Sequence, residues 1–325
     1  ILGVLELGLV SGRSEYVAWA RQSFERAREY GSGFGWFPEG LGHRHGEICC
    51  TTDMLEIALN LGLHVDPLFL ADAERIGRNH LLESQFLSLD RLRAAVERLP
   101  EESVDTDPAL SRVDGVTESQ LGGFAARSTL NDAFHLDATA MMQCCNAAGA
   151  RGLYDLWRYA AVSLPAQAGR PARVRVNLRL SVENEAVRVV SHEPRQGRLD
   201  IVPARDARIE VCLPEGETQA WVARAGGSRV PVKAVRGFAA FEAGAGEAIA
   251  LTYPLVEREG VLRAGPVENR LECRGRWRGE TLVAVEPPGE YYPLYQLRGG
   301  SLPPVVPLRP ARALIDSLAA PFTEE

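Results

Sequence analysis

The chain has 325 residues, a net charge of −7 and a pI near 5.6. It carries no basic run of the kind that binds nucleic acid, and no apolar run of membrane-span length, so neither partner is expected. At this length it can bury a large core, and its composition reads as soluble and globular with two domains.

The first residues, ILGVLELGLV, read as the middle of a helix, and the chain opens on Ile1 rather than Met. A preceding segment of the natural protein is therefore expected. In SEYVAWARQSFERAREY, Tyr16, Trp19, Ala20, Phe24 and Ala27 recur at three- and four-residue steps, with Ser14 as the expected N-cap. A glycine- and aromatic-rich connection covers Gly31–Gly46. Helices are then predicted over Glu47–Leu61 and Ala71–Leu82. A polar, irregular stretch follows at Glu101–Asp132, and long irregular connections in a compact domain are often functional. A further helix is predicted over Asp137–Val162.

The pattern changes at LPAQAGRPAR, residues 164–173. In RVRVNLRLSV the period becomes two, with Val174, Val176, Leu178, Leu180 and Val182 inward and Arg and Asn outward. ARIEVCLPEG, QAWVARAGG, GFAAFEAG and EAIALTYPL repeat the theme between turn residues, which predicts an antiparallel β-sandwich. The expected organisation is a helical catalytic domain over 1–165, a sandwich over 172–300 and a tail, proline-rich and then briefly helical, over 301–325.

Four of the six cysteines form two doublets, Cys49-Cys50 in HGEICCTTD and Cys144-Cys145 in MMQCCNAAG. Vicinal cysteines are poorly placed to bridge each other, so a reduced, cytoplasmic setting is expected. Two readings fit the doublets. Glu47, Cys49, Cys144 and Cys145 supply one carboxylate and three thiolates for zinc, with Cys50, His43 and His45 as substitutes. Alternatively they are ordinary core cysteines at helix starts, with Glu47 a first-turn carboxylate. Cys212 and Cys273 fall in predicted strands and read as small buried hydrophobes. There is no Ser–His–Asp arrangement, phosphate loop or dinucleotide fingerprint.

The motifs resemble glycoside hydrolase family 127, the β-L-arabinofuranosidase family. The family's E-T-C segment appears here as Glu47-Ile48-Cys49, and its C-C doublet as Cys144-Cys145, followed by Gly149-Ala150-Arg151. GSGFGWFPEG precedes the first motif and LGGFAARSTLNDAF the second. Around residues 146–148, Asn146-Ala147-Ala148 replaces the family's usual proline-and-asparagine pattern. The resemblance implies an (α/α)₆ barrel, of which about half the helices are readable, followed by β-sandwich modules. It implies a zinc ion on Glu47, Cys49, Cys144 and Cys145, and a retaining glycosidase with Cys144 as nucleophile. Glu39 in WFPEGLG is the implied acid/base. An anionic thiol is needed because a free thiol near its usual pKa of about 8.5 is mostly protonated at neutral pH.

Carbohydrate is then the expected substrate, and a homodimer stays open beside a single chain. Trp36 and Phe37 are candidates to stack on a sugar face, or else loop packing. His43, His45 and His135 are candidates for sugar hydroxyls. Asn131 or Asp132 reads more simply as a helix cap, and Tyr291, Tyr292 and Tyr295 as packing of the tail against the sandwich. A relative that kept the fold as a carbohydrate-binding or scaffold protein is the rival reading.

Overall fold

The computed structural model describes residues 1–40, 42–99, 115–135, 142–166 and 172–296. The tail predicted over 301–325, the linker core at 167–171 and residues 137–141 of the fourth predicted helix lie outside the described residues. So does much of the Glu101–Asp132 connection.

The first helices are α1 (Leu2–Ser11) and α2 (Ser14–Arg28). Ser14 is the first residue of α2 rather than its cap; Arg13 stands at the cap position. A two-residue strand, β1 (Gly46–Glu47), leads directly into α3 (Ile48–His64). α3 buries Leu55, Ala58, Leu59 and Leu61, and the chain leaves it through an Asp66 turn, where Asp66 Oδ1 accepts from the Leu68 amide at 3.1 Å. α4 (Phe69–Ile76) runs on into a π-helical turn at Gly77–Leu81. Asn79 lies buried in this turn, and its side chain donates back to the Arg75 carbonyl at 2.9 Å. Its side chain donates to the Glu280 carbonyl and accepts from the Leu282 amide, strapping this helix to a strand 200 residues later.

α5 (Leu89–Arg98) was not anticipated from the sequence. Its signal is Ser88, whose hydroxyl accepts from the Arg91 amide at 3.3 Å, followed by Leu92 and Ala95 on one face. A short α6 (Val116–Ser119) precedes β2 (Arg127–Ser128), which pairs antiparallel with β1. α7 (Gln143–Ala160) carries the second doublet. It ends earlier than predicted, because β3 (Ala161–Leu164) pairs antiparallel with β4 (Arg173–Val176).

The remaining strands are β5 (Val182–Glu183), β6 (Val187–Ser191), β7 (Arg198–Pro203), β8 (Ala207–Cys212), β9 (Gln219–Arg224), β10 (Val230–Lys233), β11 (Phe238–Ala243), β12 (Ile249–Thr252), β13 (Glu257–Ala264), β14 (Leu271–Arg278) and β15 (Thr281–Glu286). They form a six-stranded sheet in the order β10-β9-β12-β7-β6-β5, a four-stranded sheet β11-β8-β4-β3 and a three-stranded sheet β13-β14-β15. Every pairing is antiparallel except β4 with β8, where Val174 faces Ile209 in parallel register. The intervening strands belong to the other sheet, so the chain returns to β4 in the same direction. Val174, Val176, Ile209 and Val211 of one sheet share a single apolar core with Val189, Ile201, Val222 and Leu251 of the other. Leu55, Leu59 and Leu156 of the helices join that core.

The predicted strand RVRVNLRLSV corrects in an informative way. It splits into β4 and β5, and Asn177 and Arg179, expected outward, are buried between them. Arg179 Nε lies 3.1 Å from Glu193 and Nη2 3.2 Å from Glu74, while its backbone amide donates to Glu74 at 3.0 Å. Arg78 joins the same group. A buried guanidinium is tolerable here because two carboxylates neutralise it. The network joins α4 to the sheets.

Candidate metal and catalytic centre

β1 and β2 place the site. Glu47 is the last residue of β1 and the N-cap position of α3, directly opposite Arg127 in β2. The Ile48 amide donates to the Ala126 carbonyl at 3.1 Å, which fixes the start of α3 against β2. Cys49 therefore sits in the first turn of α3. Cys144 and Cys145 sit in the first turn of α7, and α7 packs along α3, where the Thr52 hydroxyl donates to the Ala148 carbonyl at 3.1 Å. α7 also approaches the loop before β2 closely at Gly149, where a Cβ would overlap the Phe124 ring. This is a physical reason for glycine in the GAR segment. The Asn146 carboxamide holds the same loop by accepting from the Phe124 amide at 2.7 Å.

Two helix N-termini thus converge on one point, and their free amides favour negative charge. Cys49 Sγ lies 3.7 Å from Cys145 Sγ, and Cys144 Sγ 3.9 Å from Cys145 Sγ. Glu47 Oε1 is 3.4 Å from Cys145 Sγ and 3.9 Å from Cys144 Sγ. All four ligand atoms lie within 4.8 Å of one another. Tetrahedral zinc with sulfur at roughly 2.3 Å spaces its ligand atoms about 3.8 Å apart, so these separations fit one ion. The donor chemistry fits as well. Burial is the main cause that pushes the Cys49 thiol up to about 12, and it pushes Cys145 up too, with the neighbouring thiol and Glu47 adding to it. Only a cation among them makes three thiolates and a carboxylate compatible. The four residues can hold a metal ion.

The three sulfurs differ in access. Cys145 is buried, Cys49 is half-buried and Cys144 is exposed. Cys50 lies off the cluster, and burial raises its thiol to about 11. Cys212 and Cys273 are buried in strands, as expected.

Glu39 lies beside the cluster in the loop before β1. One of its oxygens accepts from Arg127 Nη2 at 2.8 Å, and the other stands 2.8 Å from His45 Nε2. The hydrogen bond from Arg127 holds its carboxyl below the usual glutamate range. His43 stacks on His45 with ring centroids 4.8 Å apart, and His135 meets His45 edge to face at 5.5 Å. The structure therefore gathers Glu39, His43, His45 and His135 at one place.

Trp36 does not join them. It is fully buried, and its ring N–H donates to the Ser128 carbonyl at 3.0 Å, so it presents no face to a sugar. The aromatic signal of that loop is packing: Gly35, at φ +102°, passes so close to Ile76 that a Cβ would stand 2.6 Å from its Cα. Asp132 caps no helix. Its carboxylate accepts from the amides of Phe134, Tyr291 and Tyr292, tying residues 291–292 to the loop before α7. Tyr292 packs on Phe86 and Phe134, and Tyr295 on Phe34 and His80, so these tyrosines meet the helical part.

Sequence reasoning missed two features. Arg127 had no role assigned, since nothing in its local sequence announces a partner 88 residues away. Behind the cluster, Glu56 of α3 and Asp155 of α7 share a hydrogen bond, and burial followed by that bond raises Glu56 to about 8. Arg151 reaches Glu56 at 2.6 Å and Asp53 at 2.5 Å.

No family model matches this sequence, and no curated protein does. Solved structures do. A GH127 β-L-arabinofuranosidase from Geobacillus stearothermophilus T6 superposes over 86% of this chain with a TM-score of 0.53, at 14% identity. A second GH127 β-arabinofuranosidase superposes over 86% with a TM-score of 0.51, also at 14% identity. The chain covers 45% of each of those chains, so it spans somewhat less than half their length. The fold is thus one seen in glycoside hydrolases: helices followed by largely antiparallel sheets. More narrowly, it matches that of glycoside hydrolase family 127. Among the described residues no helix is long and apolar enough to cross a membrane.

Proposed function

We propose that this chain carries the catalytic centre of a retaining glycoside hydrolase that acts on a β-L-arabinofuranoside-like sugar. The observation that carries the reading is the Glu47–Cys49–Cys144–Cys145 cluster, with its spacing fit to one zinc ion and a single exposed thiol. In this reading residues 1–165 form part of an (α/α)₆ barrel, residues 172–300 form a β-sandwich module, and residues 301–325 are a tail.

Zinc bound by these four groups supplies the positive charge that keeps the thiols as thiolates near neutral pH. Cys144, the exposed thiol at the start of α7, attacks the anomeric carbon. A C–S bond forms as the glycosidic C–O bond breaks, and the leaving oxygen takes a proton from a carboxylic acid. The carboxylate left behind then removes a proton from water, which displaces the thiolate and restores the original configuration. Cys49, Cys145 and Glu47 hold the charge and geometry.

Glu39 takes the acid/base place. Its contacts with Arg127 and His45 favour the ionised form, which suits the water-activating step. His45 is the imidazole nearest to it, with Nε2 2.8 Å away. His43 of the same loop and His135 of the loop before α7, both packed on the His45 ring, are then placed to meet the sugar. The same ion pair with Arg127 favours a second reading, a carbohydrate-binding relative without turnover, because a carboxylate held ionised is a poor proton donor.

Incubating the zinc-loaded chain with a panel of aryl glycosides separates the two. Release of the phenol that is lost in Cys144→Ser supports hydrolysis; binding without release across the panel contradicts it.

A further inference from the structure

The Glu39–His45 contact rests on a small hairpin. Pro38 and Gly46 form an antiparallel bridge, and the Glu39 amide donates to the His45 carbonyl at 3.1 Å. Residues opposite each other in such a ladder send their side chains to one side, so Glu39 and His45 meet. The turn between them includes Gly40 and Gly42, whose backbone is permissive, and carries the exposed His43. Arg127 grips Glu39 at the base of this hairpin. Its far end is gripped from the β part of the chain. Asn269 closes the 3₁₀ turn Val267–Asn269 between β13 and β14. Its Nδ2 donates to the Gly42 carbonyl at 3.2 Å, and its Oδ1 accepts from Arg44 Nη1 at 3.2 Å. These two contacts flank His43 on either side in sequence. Among the described residues neither the Gly42 carbonyl nor the Arg44 guanidinium has another hydrogen-bond partner. The same β13–β14 connection also holds the start of the Gly31–Gly46 stretch, where the Gly265 amide donates to the Tyr30 carbonyl at 2.8 Å.

From this geometry we infer that Asn269 is a positioning residue of the site: it fixes the turn that presents the His43–His45 pair, and in turnover it thereby sets how tightly the sugar is held. A carboxamide suits its two partners because it carries both a donor for the carbonyl and an acceptor for the guanidinium. Two glycines leave the turn little stiffness of its own, so its restraint comes from outside it. Arg127 fixes Glu39 independently, so loss of Asn269 reaches His43 before it reaches the carboxyl. His43 stacks on His45 with ring centroids 4.8 Å apart, a contact that reports directly on the position of the turn. The effect on the sugar rests on the hydrolase reading; the positioning of the two imidazoles does not.

The test compares the purified 325-residue chain with Asn269→Leu, which keeps the bulk and removes both bonds, and with Asn269→Gln, which keeps the amide on a longer arm. With six histidines the imidazole ring protons can be resolved by NMR. The expected result is a nuclear Overhauser signal between the His43 and His45 rings that is lost in Asn269→Leu and recovered in Asn269→Gln. Tryptic cleavage after Arg44 should quicken about fivefold in Asn269→Leu, the effect of losing roughly one net hydrogen bond, while the urea midpoint is unchanged. In the zinc-loaded chain the KM for an aryl glycoside should rise about fivefold in Asn269→Leu, with kcat within about twofold. An unaltered ring signal and unaltered cleavage in Asn269→Leu overturn the inference. So does a lowered urea midpoint with faster cleavage at every site, or a fall in kcat with KM unchanged. If no glycoside is hydrolysed while the ring signal and the cleavage respond, the positioning stands and the hydrolase reading falls.

Discussion

Arg127 stands directly opposite Glu47 in the β1–β2 pair, and its guanidinium reaches Glu39 at 2.8 Å. One backbone register thus positions both a ligand of the cluster and the group that sets the charge of the neighbouring carboxylate. Removing the cation should release Glu39. In Arg127→Met the Glu39 carboxyl is expected to titrate at higher pH than in the unsubstituted chain, read by carbon-13 NMR of labelled glutamate. The sign follows from linkage. A depressed folded pKa adds stability above the unfolded value and loses it as pH falls, so Arg127→Met should narrow the fall in stability on acidification. An unmoved Glu39 titration would show that Arg127 does not set it.

Zinc uptake is expected at one ion per chain, measured by metal analysis after dialysis. The Cys49 thiol, at about 12 without metal, must lose its proton to become a ligand. Binding in weak buffer should therefore release protons, and affinity should fall as pH falls. Cys145→Ala, which removes the buried sulfur, should lower the affinity by at least tenfold. Retention of full affinity would place the ion elsewhere.

Glu56 and Asp155 should make stability fall with rising pH. Their carboxyls titrate above the ordinary range in the folded chain, Glu56 at about 8. A raised folded pKa gives stability that is full below the unfolded value of roughly 4.5 and is lost as pH rises through the folded one. Between pH 5 and 9 the melting temperature of Glu56→Gln should fall less than that of the unsubstituted chain. Parallel curves would contradict the shared proton.

Gly149→Ala should destabilise the packing of α7 against the Phe124 loop by about 1–3 kcal/mol, since the added methyl meets the Phe124 ring in a packed interface. Urea unfolding gives the number, and a change within error would mean that the Phe124 loop moves freely aside.

Much of this was legible in the sequence because it is written in local spacing. The three- and four-residue steps of Trp19, Ala20, Phe24 and Ala27 mark α2, and the alternation of ARIEVC marks β8. The two cysteine doublets, read with the family resemblance, pointed to four residues that the fold brings within 4.8 Å. What escaped depends on long-range pairing. Arg179 looks like an outward strand residue until Glu74 and Glu193 arrive to neutralise it. Trp36 looks like a sugar platform until Ser128 takes its ring N–H. The π turn at Gly77–Leu81 and the parallel β4–β8 pairing have no local signature either.

In the proposed mechanism Cys144 is the exposed thiolate of a metal-binding cluster. The most direct measurement is intact-mass and peptide-mapping mass spectrometry of the zinc-loaded chain after incubation with a furanoside carrying an electrophilic anomeric group. The predicted result is a single adduct on Cys144, absent in Cys144→Ser and after zinc is removed. An unmodified Cys144 beside a modified Cys50, or no adduct while glycosides are still hydrolysed, would contradict the thiol mechanism.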